Sequence, residues 1–305
     1  MPISSHSHSG QFCLHAQGTL EQVILEAIQQ GFHTFSFTEH CPRKYAEDLY
    51  PEESHLTSDD LFHTFDEYIQ TAKQLREKYA DKIQILIGSE TEYIRPDSID
   101  LLRELVAKYD LDYLVGSVHH VNAIPIDFSV ELWHKALEHV GGCYEKLFLD
   151  YFDHQYTLLT SLQPLVVAHF DLICLYANEE AMKVFTNSSE VWKLIERNIE
   201  YVNSYGGVFE INTSAFRKGW SVAYPKPQLI KLMQKHNSRF TLSDDSHGPH
   251  QVGLNYHRGK EYLEKEGIHA LAVLSRNSKE SPTTYQMVSV SQIWSNFVGK
   301  NGLSP

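Results

Sequence analysis

Histidine is the composition outlier of this 305-residue chain, with 18 copies, and many of them stand beside carboxylates in short strings. Near the amino terminus HSHSG carries His6 and His8, and His15 follows a few residues later. Further on, TEH carries Glu39 and His40, GSE carries Glu90, GSVHH carries His119 and His120, and HFD carries His169 and Asp171. EIN ends on Asn212, and SDDSH carries Asp244, Asp245 and His247. Imidazoles and carboxylates bind first-row divalent cations, and imidazole titrates near neutrality. An HxH pair on an extended strand puts both rings on one face, because side chains alternate with period two. A donor set of this kind suits Zn, Mn or Fe in the divalent state. Nine or so candidates among these residues are too many for one ion, which takes roughly four to six donors. Two or three ions are implied, with Glu90 able to bridge. Paired ions lower the pKa of a shared water and clamp both oxygens of a phosphoryl transfer, so hydrolysis of a phosphate ester is the natural chemistry.

Each fragment alone has a plainer reading. HSHS at a terminus reads as a polar start. Glu90 reads as a strand-end acid in an ion pair, His169 as a satisfied core histidine, and Asp245 with His247 as a turn. What separates the readings is where the fragments fall along the chain. Short apolar runs occur at Thr34–Phe37, Ile83–Ile87, Tyr113–Val118, Leu165–Ala168, Val208–Ile211 and Phe240–Leu242, with Ile3 opening a first strand and Ala270–Leu274 a late one. Amphipathic stretches lie between them at Leu20–Gln30, Asp59–Tyr79, Ser98–Lys108, Glu145–Leu162, Glu190–Asn203 and Lys226–His236. Thr19 is the expected N-cap of the first helix and Gly31 its stop; Ser188 or Ser189 caps the fifth. Residues 41–58 and 244–258 read as loops.

Strand and helix therefore alternate, which predicts a parallel β/α architecture. Without a repeat, low-complexity tract or Pro/Gly-rich linker, residues 1–305 are expected to form one domain. Every metal-capable string stands just after one of the short runs. In a β/α barrel the loops at the carboxyl ends of the strands converge on one mouth, so these residues would meet there.

Composition narrows the function further. A hydrophobic fraction of 42% and a charged fraction of 21% are ordinary for a soluble globular chain. The formal charge of −13 disfavours a nucleic-acid groove reader. It leaves a small phosphorylated substrate open, because bound cations supply local positive charge. Cys13, Cys41, Cys143 and Cys174 form no CxxC pair, so neither a disulfide framework nor a thiolate zinc site is expected. No apolar run reaches the ~20 residues that span a bilayer, and MPISSHSHSG lacks the apolar stretch of a signal peptide. No membrane partner and a cytoplasmic address are the expectations. GxGxxG, Walker and GxSxG motifs are all missing from the sequence.

The ordered set HSHSG, TEH, GSE, GSVHH, HFD and SDDSH resembles the polymerase and histidinol phosphatase (PHP) family, in its histidinol-phosphatase branch. The strings GFHTFSFTEH, GSVHHVNAIPIDF and EINTSAFRKG look like the fungal form. The resemblance runs from His6 to about His247. It implies a distorted (β/α)7 barrel of PHP type holding three ions. One ion would take His6, His8, Glu90 and Asp245. Glu90 would bridge to a second that also takes His119 and His169, while His15, His40 and His247 would hold a third. It further implies hydrolysis of histidinol phosphate in histidine biosynthesis, with Asp245 and His247 in catalytic roles. Arg217, in NTSAFRKG, would clamp phosphate, as a planar guanidinium suits two phosphate oxygens. His120 and Arg43 are further substrate-contact candidates. One position departs from the pattern: relatives carry a basic residue shortly after HxD, where HFDLICLYA places Cys174. Arg43 and Lys44 are the expected substitutes. Two other readings share these residues: another phosphoesterase, such as a nuclease, and a non-catalytic metal-binding paralogue. The sequence leaves the oligomeric state and the role of residues 275–305 open.

Overall fold

The computed structural model describes residues 2–276, 278, 281–295 and 297. Its barrel strands are short and parallel, and their order follows the sequence. Ile3–Ser4 pairs with Thr34–Phe37, which pairs with Gln84–Ile87. After Gly88 the same strand continues as Ser89–Glu90 and pairs on its other side with Leu114–Gly116. Leu114–Gly116 pairs with Val166–Val167, that with Val208–Asn212, and that with Phe240–Ser243. Two contacts return the last strand to the first: the Ser5 amide donates to the Leu242 carbonyl at 3.1 Å, and Ser246–His247 pairs with Ser7–His8. Seven β/α units thus form a ring, distorted where Gly88 lets one strand change partners.

Alternation along the strands sorts the core into two parts. Leu86, Tyr113, Val115, Val166, Ala168 and Val208 pack with Ala272 and Leu274 in one apolar cluster. Phe35, Phe37, Ile85, Ile87, Phe209 and Ile211 belong instead to the larger cluster shared with the helices. The late strand Ala270–Ser275 forms an antiparallel hairpin with Thr284–Ser289, so part of the barrel interior is filled by a segment outside the β/α repeat. Each fully buried large aliphatic or aromatic chain contributes roughly 1.5–3 kcal/mol, so these clusters hold the strand ends rigidly.

Helices occupy Leu20–Gln29, Ser58–Lys78, Ser98–Lys108, Tyr144–Leu162, Ser189–Ser204 and Pro227–Lys235, within about two residues of the sequence expectations. Thr19 caps the first through a full capping box, and Ser188 caps the fifth by accepting from the Val191 amide. Among the described residues three further helices of nine residues or more were not anticipated, Val130–His139, Glu179–Asn187 and Tyr256–Lys265, along with the short Ser214–Arg217 and Val290–Trp294. Tyr256–Lys265 corrects the expected 244–258 loop. The 41–58 loop likewise contains single turns at Ala46–Asp48 and Pro51–Glu53. No helix among the described residues is long and apolar enough to cross a membrane.

Candidate metal centre

Two glycines bring ligand-bearing strands close. A Cβ on Gly88 would lie 2.7 Å from the Tyr113 carbonyl oxygen, and one on Gly116 would lie 2.4 Å from Pro164 Cγ. Only glycine fits at both, which accounts for the first letters of GSE and GSVHH. At SDDSH the chain turns through Asp245, which holds φ of 46°, a left-handed conformation that Asp tolerates better than most residues. The turn sends neighbouring carboxylates to different places. Asp244 is tied down by Ser4 Oγ at 2.9 Å and the Gly253 amide at 2.7 Å, whereas Asp245 faces the histidines.

The strand ends then converge as a barrel mouth requires. His6 Nε2 and His8 Nε2 lie 3.1 Å apart, at 3.2 and 3.3 Å from Glu90 Oε2 and 3.8 and 3.7 Å from Asp245 Oδ1. Donors on a shared ion with bonds of roughly 2.0–2.2 Å stand about 3.0–3.4 Å apart, and His6, His8 and Glu90 stand at that spacing, with Asp245 slightly farther out. The other oxygen of Glu90 lies 3.1 Å from His119 Nε2 and 3.0 Å from His169 Nε2, which makes Glu90 a bridge between two donor groups. His15, His40 and His247 form a third group, joined by Cys13, whose sulfur is 3.1 Å from His15 Nε2. The sequence reading had put no cysteine at the site.

For five of these histidines an acid or carbonyl faces the ring nitrogen that is turned away from the cluster, which leaves the other for a ligand. His6 Nδ1 is 2.9 Å from Glu210, His8 Nδ1 is 3.6 Å from Glu39, His119 Nδ1 is 3.2 Å from Glu92, and His15 Nδ1 is 2.7 Å from Glu52. His247 Nδ1 faces the Asp245 carbonyl at 3.0 Å. Such partners fix tautomer and ring orientation in metal sites. Sequence reasoning missed Glu210, Glu92 and Glu52 and gave Glu39 no supporting role. The signal for Glu210 was visible: an acid inside the apolar run VFEI must be paired if it is buried.

Charge dominates the electrostatics of the cluster. Burial opposes a charge on His6, but Glu90, Asp245 and Glu210 outweigh it and raise its pKa well above the ordinary value. In the same way burial opposes, and Glu39 and Glu90 outweigh, at His8, which rises to about 9. His119 is raised against burial by Glu92 and Glu90. Burial would push the carboxyls of Glu90 and Asp245 up, yet the surrounding histidines hold both well below the usual range. His40 goes the other way, to about 3, through burial and the neighbouring His8. Anionic oxygens and imidazoles crowded at such distances form a chelating set, and its donor types fit divalent cations.

A cavity of about 310 Å³ opens over this cluster. Arg217 lines it from the Ser214–Arg217 turn, its Nη2 donating to the Asp245 carbonyl at 3.1 Å, and Lys218 lines it beside Arg217. Tyr50, Asp127 and Phe128 line it as well. Two expected substrate contacts lie elsewhere. Arg43 is buried behind the wall, paired with Glu53 and stacked on Tyr50, and is not among the lining residues. His120 is also buried, with its ring 5.7 Å from that of Tyr50, and burial lowers its pKa to about 3. Lys44 does not line the cavity either, so the basic lining comes from Arg217 and Lys218. Cys174 is buried near Asp171 and Lys226, and Lys226 Nζ sits 2.9 Å from the centroid of the Trp220 ring.

A parallel seven-unit barrel with imidazoles and carboxylates gathered at its mouth defines a metallohydrolase-type centre, and comparison with known proteins gives it a family. Residues 4–214 match the PHP domain model, and the chain belongs to that family. A Schizosaccharomyces pombe protein named "Probable histidinol-phosphatase" is 64% identical over 304 residues, covering 100% of this chain and 99% of its own length. The Saccharomyces cerevisiae histidinol-phosphatase is 36% identical, covering 85% and 87%. Among solved structures, the histidinol phosphate phosphatase of Lactococcus lactis, complexed with zinc, L-histidinol and phosphate, superposes with a TM-score of 0.64 at 21% identity over 89% of this chain and 96% of its own. The Listeria monocytogenes hisK protein gives 0.70 at 22% identity over 84% and 98%. Both share the distorted barrel fold.

Proposed function

We propose that this chain is a histidinol-phosphate phosphatase, hydrolysing L-histidinol phosphate to L-histidinol and phosphate in histidine biosynthesis. The observation that carries the chemistry is the gathering of nine ligand-type side chains at one mouth, seven of which line a cavity whose wall also holds Arg217 and Lys218. The substrate follows from full-length similarity to proteins bearing that name. In this reading residues 1–305 form one metallophosphatase domain working in the cytoplasm on a small phosphorylated substrate, with no nucleic-acid or membrane partner.

His6, His8, Glu90 and Asp245 would hold one divalent ion, Glu90 with His119 and His169 a second, and His15, His40 and His247 a third. Zinc, manganese and ferrous iron all suit these donors. When bound, the ions neutralise phosphate charge and supply a reactive water at neutral pH. Arg217 and Lys218 orient the phosphoryl oxygens. Asp245, kept ionised by His6 and His247, takes a proton from the attacking water. As the new P–O bond forms and the ester P–O bond breaks, that proton passes to the histidinol oxygen. His247, with Nδ1 anchored on the Asp245 carbonyl, keeps its other nitrogen toward the site.

A substrate panel tests the assignment. The metal-loaded protein is expected to favour histidinol phosphate over nucleotides and DNA ends. Turnover of other esters with histidinol phosphate left untouched would refute it.

A further inference from the structure

The cavity wall carries side chains of both charge signs. Arg217 and Lys218 line it, and so does Asp127, with Tyr50 and Phe128. Asp127 has no ion pair among the described residues, and its Oδ1 is buried without a hydrogen-bond partner. A carboxylate oxygen withdrawn from water needs a donor, and leaving it without one is costly. Its backbone is fixed at both ends of the segment that presents it. The neighbouring Ile126 amide donates to the His119 carbonyl at 2.9 Å, and the Tyr176 hydroxyl donates to the Asp127 carbonyl at 3.2 Å. The side chain is therefore held at the mouth by the His120–Val121/Ile124–Pro125 hairpin that follows ligand-bearing His119. Beside it the rings of Tyr50 and Phe128 stack at 5.6 Å and 16°, and Phe128 is 37% exposed.

We infer that Asp127 is the receptor for a protonated amine on the substrate, and that this pocket selects phosphomonoesters carrying an ammonium group a few bonds from the ester, with Tyr50 and Phe128 covering the organic part. The inference rests on the phosphatase reading above and deepens it. Arg217 and Lys218 hold the anionic end of such an ester, and Asp127 accepts from the cationic end. The negatively charged cluster behind the cavity cannot serve the amine, because its carboxylates are already engaged by histidines. An ester lacking the amine leaves Asp127 desolvated and unpaired, which is how a polar site rejects a near-isostere.

The test compares wild-type and Asp127→Asn proteins, both metal-loaded, on matched esters: histidinol phosphate, phosphoethanolamine against 2-hydroxyethyl phosphate, and p-nitrophenyl phosphate. The wild type is expected to prefer each amine-bearing ester. In D127N, kcat/KM for those esters should drop roughly ten- to a hundredfold, mainly through KM, as expected for loss of one charged hydrogen bond. Turnover of p-nitrophenyl phosphate should stay within about threefold, which also reports an intact fold and metal centre. An equal loss on all esters, or no loss on any, overturns the inference, as does a wild type indifferent to the amine. If the wild type ignores histidinol phosphate but still prefers phosphoethanolamine, the named substrate falls and the role of Asp127 stands.

Discussion

At the scale of single residues, the proposed centre divides side chains that would reach a cation from those that would aim them. His119 belongs to the first kind, facing Glu90 across 3.1 Å. Several kcal/mol of charge stabilisation depend on such a donor, and 1.36 kcal/mol is a tenfold change in rate, so His119→Ala should lose about a thousandfold in kcat. Steady-state phosphate release measures it, and full activity in the variant would remove His119 from the chemistry. Glu210 belongs to the second kind. It faces His6 Nδ1 at 2.9 Å and accepts from the His169 amide at 2.9 Å and from Asn212 at 2.9 Å. Glu210→Gln should weaken metal binding by roughly ten- to a hundredfold, read by competition with a chelating dye. The clustering of these histidines and carboxylates was legible in the sequence because they fall just after apolar runs. The aiming acids were not, since Glu52 and Glu92 carry no local pattern that distinguishes them from surface carboxylates. Arg43 shows the converse: its place after TEH suggested the mouth, but Glu53 and Tyr50 hold its guanidinium behind the wall.

At the scale of elements, what matters is how closely the strands can approach. Gly88→Ala would push a methyl group against the Tyr113 carbonyl, a backbone atom that cannot swing aside. Overpacking of this kind costs about 1–3 kcal/mol, and here it also displaces the Ser89–Glu90 segment. Denaturant unfolding should show that loss, together with a fall in bound metal. An alanine variant with wild-type stability and metal content would refute the close-approach account. The main strands and long helices were readable because apolar runs and caps such as Thr19 and Ser188 announce them. The missed helices announce themselves poorly. Tyr256–Lys265 starts from Asn255, which sits in the left-handed region and makes no side-chain cap bond. Glu179–Asn187 buries only Ala181 and Phe185, too sparse a stripe to stand out.

At the scale of the whole molecule, folding forces together groups that repel or must share protons until cations enter. The register of Ser7–His8 against Ser246–His247, which closes the ring and unites the site, spans nearly the full chain and has no sequence signature. In the metal-free protein His8 titrates near 9, above its unfolded value, so it is charged at neutral pH and its paired form contributes stability that disappears as pH rises through about 9. Metal needs the neutral ring, so binding at pH 7 should release protons, and apparent affinity should rise with pH up to about 9. Calorimetry in buffers of different ionisation enthalpy reads that release; an enthalpy independent of buffer would contradict it. Binding should also raise Tm, since each site at a hundredfold excess of metal over Kd adds about 2.7 kcal/mol. The most direct test strips the protein with a chelator, reloads it with zinc or manganese, and follows bound metal and phosphate release from histidinol phosphate on the same sample. Two or three ions per chain, with activity lost and regained in step with them, is the expected result. A stripped protein that hydrolyses the ester at full rate, or one that takes up no ions, would contradict the account.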